Sequence, residues 1–417
     1  MLLALSLFFY YGQHFVVLFD INHLYKINED SIISKILSDD VYVKATYIVI
    51  ISLLVMHAGF FCVKNTQKEW IIKPLNQKKL KSLRIAGWFG LLISVYPMIR
   101  YQVSLFALQM TLGYGGRRQL EGDADYLSTL GVSSLIIYLA DLFVPSLYAL
   151  LIGYKGRKHK AIVYTLIFAY LGINLVLGSR FMILKVIVVL LFIQFVWISP
   201  PDKKMMKKLV VAGVVLVVIF SLLTKLRGMT SDSVSMSDAA EGVGISSVLW
   251  ETGITFTCVS TVLAYCPSKI DFTWGASVVG AFLQCLPEPM RFGYFDNHTL
   301  LLSSIFSPLY YNSTLIGFGS SFIAEGYWNF GYFLFLYMFL LGIVLAKMTK
   351  MLNTAQYTSS PYLFLVLSSV CGDLAFGVRN DLSAIPRMIL THTFVILIIA
   401  ISLYILMNSS NRKVKSA

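Results

Sequence analysis

Eight arginines stand at or near the ends of long apolar runs: Arg100, Arg117, Arg118, Arg180, Arg227, Arg291, Arg379 and Arg387. A guanidinium is a planar fork that holds phosphate or carboxylate through two parallel bonds and keeps its charge at any physiological pH. One such arginine is accounted for by headgroup anchoring, or by pairing with Asp123, Asp125, Asp373 or Asp381. Eight on one face are not, and they predict an anion held at a membrane surface, for which a lipid-linked diphosphate fits best. The acidic groups are fewer. Glu325 interrupts the apolar run STLIGFGSSFIAEGYWNFGYFLFLYMFLLG, with Asn329 one helical turn later on the same face. Intramembrane acids are costly and face a polar cavity or a partner, so Glu325 is read either as a proton acceptor or as half of a structural ion pair. Glu251 in WETGITF and His298 in FDNHTL are the other candidates for taking a proton from a hydroxyl. Tyr294, Tyr310, Tyr311, Tyr327, Trp328 and Tyr332 lie near these acids, where rings either stack on sugar faces or form an interfacial belt.

The elements that must position these groups are membrane-spanning helices. Of 417 residues 57% are hydrophobic and 13% charged, against about a quarter charged in soluble domains, and mean hydropathy is +0.73. Apolar windows of roughly the 20 residues that cross a bilayer predict spans at about 1–19, 41–63, 83–105, 127–152, 161–178, 181–199, 207–224, 321–346, 361–378 and 386–408. The fold class is therefore all-α, a polytopic bundle of about 10 to 12 transmembrane helices in a single integral membrane domain, 1–417. The N-terminal run reads as a first span rather than a removable signal. Lysine-rich loops at 64–84, 155–160 and 202–208, with Lys347, Lys350 and the tail RKVK, fall on one side. By the bias of basic residues toward the cytoplasm, that side and both termini are cytoplasmic. Only Arg84, Arg157 and Arg412 belong to it. The external side receives 20–40, 113–126, the GSR turn at Arg180, a long segment 225–320 with embedded amphipathic helices, and 377–387.

The composition also excludes. The five cysteines, Cys62, Cys258, Cys266, Cys285 and Cys371, show no metal-ligand spacing. A net charge of +13 lies in short loops with no basic domain behind it, which argues against nucleic acid. No metal or cofactor is expected.

The GSR turn before a helix, an E-x-G element (Glu251, Gly253) with IP/LP-like punctuation in a long external segment, and the run GSSFIAEGYWNFGYF, set among about ten spans, resemble a known family. From about residue 85 onward the chain is similar to the Wzy-type oligosaccharide repeat-unit polymerases of bacterial O-antigen and capsule synthesis. The resemblance implies a GT-C-like glycosyltransferase in the bacterial inner membrane. It would polymerise undecaprenyl-diphosphate-linked units at the periplasmic face, alongside a flippase and a chain-length regulator. Carried across by residue, it points to Arg180, to Arg227 in LRG and to Arg379 in the last external turn as anion ligands, and Glu251 and Glu325 match acidic positions. Arg387, Arg117 and Arg118 join the substrate-binding set from the arginine pattern alone. The last turn here departs from the family, reading GVRND. The rival readings are a flippase or other transporter of the same lipid-linked sugars, disfavoured by the absence of an internal repeat, and an O-antigen ligase, which shares the donor but not the acceptor.

Overall fold

A backbone in lipid must satisfy its own polar groups, and the computed structural model meets this with helices; among the described residues there is no strand. These residues are 39–63, 75–120, 124–154, 159–199, 245–283, 319–357, 360–380 and 389–415, with a few single positions besides, including 6, 7 and 9–12. They form α1 (Asp39–Cys62), α2 (Gln77–Leu120), α3 (Ala124–Thr129), α4 (Ser134–Asp141), α5 (Phe143–Gly153), α6 (Lys160–Val176) and α7 (Arg180–Phe192), then α8 (Ile245–Tyr265), α9 (Ala276–Leu283), α10 (Phe322–Phe330), α11 (Leu334–Tyr357), α12 (Pro361–Phe376) and α13 (Phe394–Lys415). Two π-helical turns, Ile193–Ile198 and Ile389–Thr393, follow α7 and precede α13.

Among the described residues, four helical stretches are long and apolar enough to cross a membrane: Asp40–Cys62, Gln77–Gly113, Ser134–Gly153 and Phe322–Leu352. Shorter apolar helices occupy Lys160–Val176, Met182–Ile198, Thr255–Tyr265, Pro361–Leu374 and Phe394–Ser409. The protein is a polytopic helical membrane protein, as its sequence predicts. Several boundaries differ from the expected ones: the helix expected to end at 346 continues to Tyr357, α2 begins at Gln77 rather than 83, and two more differences turn on glycines. The span expected to start at residue 127 starts at Ser134, because a turn at Gly131 (φ +73°) separates it from α3. The span expected to end at 105 continues to Leu120, interrupted at Gly113 (φ +69°). Most of the expected first span and of 207–224 lies outside the described residues, although Ser6, Leu7 and Phe9–Gly12 are helical.

The chain divides into two compact units. One comprises residues 67–211, 351–372 and 388–417. Its spine is α2, whose first amides are capped by Asn76, the side-chain oxygen accepting from the Lys78 and Lys79 N–H groups at 3.0 and 3.2 Å. Helix α5 runs antiparallel along it. Small residues set the approach: a Cβ on Gly87 would come within 2.8 Å of Leu150, one on Gly90 within 2.6 Å of Ile396 in α13, and one on Gly153 within 2.6 Å of Arg84. Farther along, Trp197 donates to the Ile152 carbonyl at 3.2 Å and stacks on Phe364 at 4.7 Å, closing α7 and α12 onto α5.

The other unit comprises residues 1–66, 212–350 and 373–387. Here α8 packs on α1 and α10, and α9 packs on α10. Both α8 and α9 lie in the segment 225–320. Helices α1 and α11 touch backbone to backbone. A Cβ on Gly59 would overlap the Phe339 carbonyl, and one on Gly342 would overlap the Met56 carbonyl and sit 2.9 Å from the Phe60 nitrogen. Gly342→Leu is therefore expected to lower stability by about 1–3 kcal/mol, the usual cost of forcing volume into a packed contact. Gly172→Ala, where nothing lies within 4 Å, is expected to be neutral or stabilising. Thermal unfolding of both variants in one detergent measures the difference.

Candidate functional site

In the unit built on α10, Ser321 caps the helix, its Oγ accepting from the Ala324 N–H at 3.1 Å and pairing with the Tyr10 hydroxyl at 2.8 Å. This fixes Glu325 in the first turn, where the helix dipole favours a carboxylate. Glu325 is 1% exposed. A buried carboxylate is tolerable only with donors, and one is Ser277 of α9, whose hydroxyl donates to Glu325 Oε1 at 2.8 Å. Asn329, a turn on, donates to Ser277 Oγ and to the Glu325 carbonyl, both at 2.7 Å, and accepts from the Thr273 hydroxyl at 2.8 Å. The Thr273 N–H donates to the Trp328 carbonyl at 3.0 Å. Glu325 and Asn329 share one face of α10, as their spacing predicts, and Ser277, bonded to both side chains, joins α9 to α10.

Arg379 meets the start of the same helix. Its carbonyl accepts from the Ser320 N–H at 3.4 Å, and a Cβ on Gly319 (φ +82°) would come within 3.2 Å of that oxygen. The turn that carries Arg379 is thus seated at the entry to α10. Just beyond the α8 span, burial first and Asp271 second push the Cys266 thiol up to about 12. It remains protonated and is no nucleophile at neutral pH.

In the other unit the GSR turn is a built helix end. Gly178 (φ +66°) takes the left-handed position that ends α6, and the Ser179 N–H donates to the Asn174 carbonyl at 2.9 Å. Arg180 is the first residue of α7, whose first turn carries no acidic residue and whose N-cap Ser179 makes no side-chain cap. The closing carbonyls of α6 are held from α2: Arg117 donates to Leu177 O at 3.1 Å and Gln109 to Val176 O at 3.3 Å. Arg117 is 0% exposed, sealed beside the apolar cluster of Leu105, Leu108, Leu127, Val132 and Leu177. A cation on the terminal carbonyls of a helix stabilises it. Arg100 similarly donates to the Leu130 carbonyl at 3.1 Å.

Glu251 lies in the second turn of α8 and Arg118 near the end of α2. Arg227, Arg291, Arg387 and His298 lie outside the described residues.

Sequence reasoning passed over one pair. His392, in the π turn before α13, places Nε2 3.4 Å from Asp141 Oδ2 at the end of α4. Asp141 is the one charged residue between Ser134 and Gly153, and a lone acid in an apolar span was the available signal. Its partner, 251 residues away, had none.

Apolar spans that enclose networks of buried carboxylate, amide, hydroxyl, imidazole and guanidinium groups define an integral membrane protein whose polar groups lie within its helical bundles. The chain belongs to the O-antigen polysaccharide polymerase family: the model described as O-antigen polysaccharide polymerase Wzy matches residues 2–412, nearly its whole length. Membership implies polymerisation of O-antigen repeat units. Comparison with curated proteins and with solved structures gives no match.

Ser277→Ala removes a donor from a fully buried carboxylate. It is expected to cost about 1–3 kcal/mol, read as a lower unfolding temperature, whereas Ser277→Thr, which keeps the hydroxyl, retains most of it.

Proposed function

We propose that the protein transfers a growing glycan from its undecaprenyl-diphosphate carrier to the non-reducing end of an incoming lipid-linked repeat unit. The reaction takes place at the periplasmic face of the bacterial inner membrane, with both chain termini in the cytoplasm. The observation that carries this reading is the position of Arg180. An arginine at the first helical residue is opposed by the helix dipole, so stability of α7 does not explain it. A diphosphate seated there would meet both the guanidinium and the amides of the helix start.

The chemistry follows from the donor. Diphosphate departs readily once its developing charge is neutralised, and fixed guanidinium groups do this without a metal ion. The residues assigned to anion binding are Arg180, with Arg117 and Arg118, in one unit, and Arg227, Arg379 and Arg387 in the other. Arg117 serves it from behind, by holding the carbonyl next to Gly178. The acceptor hydroxyl must also lose a proton, and Glu325, Glu251 and His298 are the groups first in line from the sequence. Glu325 is bonded to Ser277 and buried, a setting in which it orders α9 against α10. A flippase delivering the units and a chain-length regulator are the partners this reading implies.

Complementation of a strain deleted for the gene, with surface polysaccharide resolved on a gel, tests the reading. Deletion should abolish the polymer ladder and leave material capped by a single repeat unit; loss of all capped material assigns a transporter or ligase instead. Arg180→Lys keeps the charge and loses the fork. It should lower polymer yield roughly tenfold or more, the worth of one charge-assisted bond, at unchanged protein level, and full activity in this variant would refute diphosphate binding by Arg180.

A further inference from the structure

Three helices of the unit built on α2 are irregular at one level, and the Asp141–His392 pair lies there. The register is fixed by close contacts: Gly153 faces Leu80 and Arg84, Gly87 faces Leu150, and Gly90 faces both Ser146 and Ile396. Continued antiparallel at 1.5 Å per residue, this register sets the stretch of α2 around Pro97 beside residues 138–142 and the turn Ile389–Thr393. Pro97 interrupts the hydrogen-bond ladder of α2. Leu142 (φ −71°, ψ −14°) is a one-residue turn between α4 and α5, and Ile389–Thr393 is π-helical. π turns beside α-helices are frequent at functional sites.

The side chains at this level are polar. Asp141 Oδ2 lies 3.4 Å from His392 Nε2, and the Tyr138 ring lies 5.6 Å from the imidazole. Tyr170, bonded to Asn174, is close enough to Asp141 to feel its charge. The imidazole is 8% exposed and the carboxylate 40%. Asp141 is about 18 Å along the helix from Gly153 and about 10 Å from Ser134, so it sits nearer the end that carries the GSR turn. From Tyr170 to Leu177, the residue before that turn, is also about 10 Å. A carboxylate at this depth cannot face hydrocarbon. An open carboxylate with a buried imidazole behind it is an arrangement for receiving a proton from a ligand.

We infer that Asp141 is the proton acceptor of the transfer reaction, with His392 as the residue that positions it. The inference rests on the polymerase reading above. In the step, the acceptor O–H bond breaks and its proton passes to the Asp141 carboxylate. The hydroxyl oxygen forms a bond to the anomeric carbon of the donor glycan. The bond from that carbon to the diphosphate oxygen breaks, its electron pair leaving on the diphosphate. His392 keeps the carboxylate turned toward the acceptor.

The test uses the full-length protein in detergent with an undecaprenyl-diphosphate-linked repeat unit isolated from the deletion strain, and it begins with wild type. Absence of chain extension by wild type overturns the polymerase reading, and the base assignment with it. Given extension, Asp141→Asn should lower kcat by a factor on the order of 100 or more, the range of general-base catalysis. KM should stay within about threefold of wild type, and Asp141→Glu should recover part of the rate. His392→Gln, which retains an N–H donor, should extend chains faster than His392→Leu. Folded Asp141→Asn with a wild-type rate overturns the assignment, as does a loss confined to KM. Should Asp141→Asn fail to fold, the histidine pair decides: equal rates in the two variants overturn it, and rescue by Gln supports it.

Discussion

The guanidinium of Arg117, sealed from solvent, holds the carbonyl at the end of α6. Helices that meet inside an apolar bundle leave terminal carbonyls with no water to receive them, and an end without a donor would cost on the order of 1–3 kcal/mol. Arg117 and Gln109 meet that need for Leu177 and Val176 together. The turn that follows can then be as short as Gly178 and Ser179, and Arg180 enters α7 at a fixed place. Arg117 is thus both a member of the arginine set and the reason another member is held still.

The same demand, that a polar group within the bundle find a partner, explains the network around Glu325. Ser277, Asn329, Thr273 and the backbone of Trp328 form one connected set across α9, α10 and the segment between α8 and α9. Each member satisfies another, so the set specifies one register between helices whose apolar faces would tolerate several. Gly59 and Gly342 act similarly on α1 and α11 through shape alone.

Much of the fold was legible because a span is a local property. Twenty apolar residues cross a bilayer wherever they occur, and α1, α6 and α7 with its π turn end within a few residues of their hydropathy windows. Two of the boundaries that differed depend on single glycines. Gly131 separates two helices within one apolar run, and Gly113 lets α2 continue into GRRQL, where hydropathy had fallen but helical backbone had not. The spacing of Glu325 and Asn329 was readable for the same local reason. The burial of Arg117 depends on the end of α6, sixty residues away, and the meeting of Asp141 with His392 on a register between α2, α4 and α13. No window of sequence contains such information.

Helix α2 runs 37 residues before its break at Gly113, about 55 Å at 1.5 Å per residue, against about 30 Å of hydrocarbon. A good part of it therefore stands clear of the acyl chains, and Arg117 rides on the continuation. The helix is a strut of fixed length. It sets the distance between its start, capped by Asn76, and the level at which Arg117 clasps the end of α6.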